Sequence, residues 1–138
     1  CSHNLEHYYP HEIPSVLNGF RHILKDDGFV QIVVPDIGGL MRHVVAAKLD
    51  IDDPIINAPT KTISVRDVLY GDADEIARSN QHYFAHKTGF TEKSLLKVLD
   101  VAGFKKLFSG CHDLQIDVLA FKTLPSVEAK QLFGLPEG

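Results

Sequence analysis

Phe29-Val-Gln-Ile-Val-Val34 is a short, nearly continuous apolar run rich in β-branched residues, bounded by Asp26-Asp27-Gly28 and Pro35-Asp36. That pattern predicts a strand buried on both faces, which in turn requires helices to cover it. The flanking sequence supplies them. From Glu12 to Lys25 the residues Ile13, Val16, Leu17, Phe20, Ile23 and Leu24 recur at three- and four-residue intervals, with Pro14 suited to a first helical turn. Thr91 to Ala102 repeats the pattern: Thr91 can cap, Leu95, Leu96, Val98, Leu99 and Ala102 form the apolar face, and Gly103 stops the helix. Phe104 should then bury its ring against the sheet. Lys105–Ser109 and Leu114–Lys122 read as two strands joined by a turn over Gly110–Asp113, the second apolar enough to be central. Helix, strand, excursion, helix, strand, strand is an α/β order.

The remaining segments are less regular. Residues 1–11 are polar and aromatic, and Pro10 discourages a helix there, so they read as a loop leaving a strand. Residues 37–90 hold Gly38-Gly39, a helix from about Leu40 to Leu49, an Asp-Pro-rich stretch at 50–60 and a helix over Val65–Leu69. An excursion of this length between core elements is more often functional than idle. Residues 125–138 read as a frayed tail, docked only at Leu132 and Phe133.

At 138 residues, with 44% hydrophobic and 23% charged, the chain has the makings of one globular unit. A net charge of −4 with scattered Lys and Arg offers no basic stripe for a phosphate backbone, which argues against nucleic acid as a partner. Cys1 and Cys111 form no CxxC pair, so neither a zinc ribbon nor a disulfide scaffold is expected, and a reducing cytoplasm fits. No apolar run approaches the roughly 20 residues of a membrane span, and no export signal is visible at the start. The sequence opens without Met, directly on a motif-like segment, as a chain beginning mid-domain would.

Several ordered landmarks carry a resemblance. His3-Asn-Leu-Glu-His7, the helix ending in Phe20-Arg-His-Ile-Leu-Lys-Asp-Asp-Gly28, and the strand Phe29–Val34 closed by Pro35-Asp36 resemble the fourth- and fifth-strand region of class I S-adenosylmethionine-dependent methyltransferases of the UbiE-like type. Leu69-Tyr-Gly71, His82, Gly89-Phe90-Thr91 and Ala102-Gly103-Phe104 resemble a bacterial subgroup of predicted methyltransferases. The resemblance spans about residues 2–122 and implies a partial Rossmann-like α/β fold of strands five, seven and six with flanking helices, without the N-terminal cofactor-binding half. Residues 1–124 would be its C-terminal part, with a substrate or lid excursion at about 37–90. The glycine-rich loop and ribose-binding acid that hold S-adenosylmethionine in such sheets have no counterpart here, since Gly38-Gly39 follows the wrong strand. If the family's strand order, 3-2-1-4-5-7-6, applies, Phe29–Val34 has an edge where the fourth strand would pair, and either homo-oligomerisation or the chain's own N-terminal segment must cover it.

The resemblance implies cofactor contacts at Ser2, His3 and Asn4, and catalytic roles for His3, Glu6 and His7 beside the transferable methyl. The competing reading is that Glu6 and His7 only fix their loop. Tyr70, His82 and Tyr83 lie in the excursion, either as an acceptor pocket or as aromatic packing under a long loop, and Asp36 stands at the cleft mouth or simply forms a turn. His3, His7 and His11, and separately His82 and His86, recur at four-residue spacing, but Pro10 spoils the helix for the first set and no metal is assigned. The expected function is the C-terminal portion of a methyltransferase acting on a small-molecule or glycan acceptor, not active alone. Its rival is a truncated, non-enzymatic module of the same fold that serves oligomerisation or interaction.

Overall fold

A computed structural model describes residues 1–57 and 61–136. Three long strands form one sheet: β1 (Phe29–Pro35), β4 (Lys106–His112) and β5 (Gln115–Phe121), in the order β1-β5-β4 and antiparallel throughout. Strand β5 is central, as its apolarity predicts, with Ile116, Val118, Ala120 and Phe121 buried. Register runs from Phe29 opposite Phe121 to Pro35 opposite Gln115 on one side, and from Lys106 opposite Phe121 to His112 opposite Gln115 on the other. The β4–β5 connection is tighter than the expected Gly110–Asp113 turn. It consists of Asp113 and Leu114, both at positive φ (48° and 60°), the geometry that joins adjacent strands without splaying them. Gly110 lies inside β4 opposite Asp117, so the glycine is a strand residue and not the turn signal.

Helices α1 (Ile13–Ile23) and α5 (Glu92–Val101) cover one face of this sheet. Ile13, Leu17, Leu95 and Leu99 pack with Phe104 onto Ile32, Val34, Ile116 and Val118, and Leu5 joins the same cluster. Thr91 caps α5, its hydroxyl accepting from the Ser94 amide at 3.2 Å, and Gly103 ends that helix at φ +91°. The opposite face is only partly covered, contrary to the expectation for β1: Gln31 is exposed and its amide donates to Asp117 at 2.7 Å. At the far end of that face the supposed tail forms helix α6 (Val127–Phe133), capped by Ser126, and Phe133 docks edge-on against Phe29 with ring centroids 5.0 Å apart. Leu132 does not dock; it is exposed.

The edge of β1 away from β5 is met by the chain's own first residues. The Val33 amide donates to the Cys1 carbonyl and the His3 amide to the Val33 carbonyl, each at 2.9 Å, so Cys1–His3 runs parallel to β1. Residues 37–90 hold the helices expected at about 40–49 and 65–69, with further regular structure beside them. They comprise α2 (Ile37–Ala47), the antiparallel pair β2 (Pro54–Asn57) and β3 (Thr62–Ser64), α3 (Val65–Tyr70) and α4 (Ala73–Ser79), then a single 3-10 turn at His82–Phe84. Ser64 and Asp67 form a reciprocal capping box at α3 and Asp72 caps α4, signals short enough to be lost among the surrounding polar residues. Among the described residues no helix is long and apolar enough to cross a membrane.

Leu99 is fully buried between α5 and the sheet. Leu99→Ala should therefore cost about 2–5 kcal/mol of unfolding free energy. Urea denaturation followed by circular dichroism measures it, and a loss below about 1 kcal/mol would mean that α5 does not pack as described.

Candidate functional site

After its pairing with β1 the chain turns at His3, whose φ of +48° redirects it across the end of the sheet. A 3-10 turn over Leu5–His7 follows. Leu5 is fully buried in the core, and Glu6 is carried inside with it, 1% exposed. The Glu6 carbonyl accepts two amides from the far end of the excursion, Lys87 at 2.7 Å and Thr88 at 3.2 Å. Segments 3–7 and 83–88 are thereby stitched together.

Side chains extend the stitching. His7 Nδ1 lies 3.2 Å from the Ala85 carbonyl, and His86 Nδ1 lies 3.0 Å from the Val68 carbonyl. A carbonyl only accepts, so each Nδ1 carries the hydrogen and each Nε2 is left as the free ring nitrogen. The His7 ring stacks on Tyr83 with centroids 5.1 Å apart and meets His86 edge-on at 5.1 Å. Tyr83 in turn accepts a 2.9 Å hydrogen bond from Asn4 Nδ2.

Glu6 sits among these rings with neither carboxylate oxygen hydrogen-bonded. Its nearest ionisable neighbours are His3 Nδ1 at 3.5 Å and His7 Nε2 at 4.0 Å from Oε1, contacts longer than well-formed hydrogen bonds. The Glu6 carboxylate raises the His3 pKa above its ordinary value, while burial lowers that of His86. One ligand atom from each of Glu6, His7 and His86 lies within 4.8 Å of the others. His3 and His86 reach the wall of a cavity of about 410 Å³, whose rim also carries Lys61, Asp72, Asp113 and Gln115.

Of the residues singled out from sequence, His3, Asn4, Glu6, His7 and Tyr83 converge here. Ser2 faces solvent beside Val33 and contributes backbone pairing. Tyr70 is exposed and takes part only through its carbonyl, which accepts from the His86 amide at 3.0 Å. His82 is exposed on the 3-10 turn. Asp36 is buried but stands elsewhere, before α2, with Arg42 at 3.7 Å in a depression shared with Thr91 and Cys111. His86 is the residue that sequence spacing missed as a site member, because it was paired with His82 instead of with His7. No family model, curated protein or solved structure matches this chain.

Ion pairs tie segments of the excursion to one another. The Lys61 ammonium holds the Asp72 carboxyl below its ordinary pKa and Arg66 does the same for Asp52. A carboxylate with a lowered folded-state pKa contributes stability that is complete above its unfolded value of 3.8 and is lost as pH falls through the lower folded one. Amide exchange should therefore show α3 and α4 losing protection below about pH 4 while β5 keeps its own. Equal retention in both regions down to about pH 2 would show that these pairs fasten nothing.

Proposed function

We propose that this chain forms the acceptor side of a class I S-adenosylmethionine-dependent methyltransferase. One observation carries the reading: three strands ordered β1-β5-β4, antiparallel throughout, with a further segment running parallel along the free edge of β1. A fifth, seventh and sixth strand of that fold have this order and these directions, and a fourth strand would lie where Cys1–His3 does. In open α/β sheets ligands bind outside the carboxyl ends of the strands, and the His3–Glu6–His7 turn stands at that end of β1.

The residues present meet only part of what the cofactor needs. A side chain at Gly39 would run into the Asp36 carboxylate and one at Gly38 would crowd it, so this glycine pair makes room for the protein's own aspartate. No step through the cofactor follows from these residues. Ser2, His3 and Asn4 would border its methyl-bearing end, and the cavity beside His3 and His86 would take a small polar acceptor, consistent with its mixed Lys61, Asp72 and Gln115 rim. The chain's own contribution is alignment: His3 presents a ring nitrogen at the cavity wall, and Asn4 and Tyr83 fix the loop that carries it.

S-adenosylhomocysteine, titrated into this chain to millimolar concentration, should bind weakly and shift the amide resonances of Ser2, His3 and Asn4 while leaving helix α6 unmoved. Silence at Ser2–Asn4 across that range would overturn the reading.

One observation favours the rival, an interaction module: among the described residues nothing pairs with the Phe29–Val30 stretch of the β1 edge beyond the reach of Cys1–His3. That reading expects a dimer in concentration-dependent sedimentation. A monomer at every concentration would remove it.

A further inference from the structure

The same turn holds a combination of groups that neither methyl transfer nor loop stability requires. Glu6 is 1% exposed with both carboxylate oxygens unpartnered, and two histidines from distant parts of the chain aim toward it. An unpaired buried carboxylate is costly, and neutral imidazoles offset little of that cost. Each histidine is also prepared as a metal ligand is: its Nδ1 is tied to a backbone carbonyl, Ala85 for His7 and Val68 for His86, which fixes the ring and leaves Nε2 as a lone-pair donor.

We infer that Glu6, His7 and His86 form a binding site for a divalent transition metal, with zinc(II) the ion that best suits two imidazoles and one carboxylate. Ligand atoms about 2.0–2.2 Å from zinc stand roughly 3.3 Å apart in a tetrahedron. The three present atoms, within 4.8 Å of one another, reach that spacing by side-chain rotations that draw them in by about 1.5 Å. Three protein ligands would leave a fourth position for water or another ligand, as in sites that exchange ligand; His3 Nδ1 lies 3.5 Å from Glu6 Oε1, and His86 also lines the cavity. The inference stands on this geometry and holds whether or not the protein transfers methyl groups.

Cobalt(II), the usual spectroscopic stand-in for zinc, tests it with untagged protein. The expected result is one equivalent bound at micromolar strength or tighter, visible absorption bands of low-symmetry cobalt that zinc displaces, and a higher melting temperature with metal. His86→Gln and Glu6→Gln should each weaken binding on the order of 100-fold, whereas His43→Gln, on the exposed face of α2, should leave it unchanged. Circular dichroism of the metal-free variants controls for folding. Should Glu6→Gln fail to fold, His86→Gln, which replaces a partly buried ring, carries the test, with His7→Gln beside it. Absence of cobalt bands in the wild type, or unaltered affinity in the folded variants, would overturn the site.

Discussion

The burial of Leu5 places everything around it. It has no exposed surface and packs with the α1 and α5 side chains against the sheet, so the 3-10 turn that carries it is held at a fixed height above β1. Glu6, next in sequence, is drawn inside by that anchor. Burying a Leu side chain gains about 1.5–3 kcal/mol, whereas taking a carboxylate out of water costs several. Hydrophobic packing at one residue therefore cannot by itself sustain the charge at the next. The neutral imidazoles around it offset little of the difference, so Glu6 remains a costly residue at this position.

Excursion and turn are also joined at some cost. His7 and Ala85 are 78 positions apart, and closing a free loop of that length costs about 4 kcal/mol in its length-dependent part alone. The main-chain bonds that close it run from Lys87 and Thr88 to the Glu6 carbonyl, and within the excursion Gly71 is bridged to Ala85. Gly71 has φ +91°, and any side chain there would strike the Phe84 carbonyl, so the approach that delivers His86 beneath Glu6 depends on a glycine. Regular structure within the excursion, from the β2–β3 pair to the capped helices, shortens the effective loop and makes the closure easier.

Sequence periodicity revealed the parts of the fold whose burial is one-sided and long enough to repeat. Helices α1 and α5 and strands β1 and β5 each bury several residues at a fixed interval, and all four were legible. Three short elements of the excursion were not: β2, β3 and α4 bury no more than an intermediate share of any side chain, so they leave no apolar pattern. Helix α6 escaped for a related reason, since only Phe133 anchors it. Gly110 misled because a glycine in an exposed strand looks like a glycine in a turn. At the site, His3, Glu6 and His7 were visible as a cluster in sequence, while His86 became their neighbour only through main-chain contacts that no spacing encodes.

That distinction bears on how the fold relates to the chemistry. Strand order and direction are set by the hydrophobic cluster beneath the sheet, which would persist if Glu6, His7 and His86 were all replaced. A fold of this kind hosts many functions, and its architecture alone selects none of them. The site has a different physical basis: two imidazoles whose tautomers are fixed by carbonyl groups, and a carboxylate without hydrogen-bond partners. Core packing explains why Leu5 is inside, but it does not explain why two rings, one from the N-terminal turn and one from the end of the excursion, present free nitrogens to an unsatisfied acid. Selection for stability alone would favour an apolar residue at position 6, because exchanging a buried charge for hydrophobic contact is often neutral or stabilising. Glu6 is therefore better understood as a residue kept for what it binds.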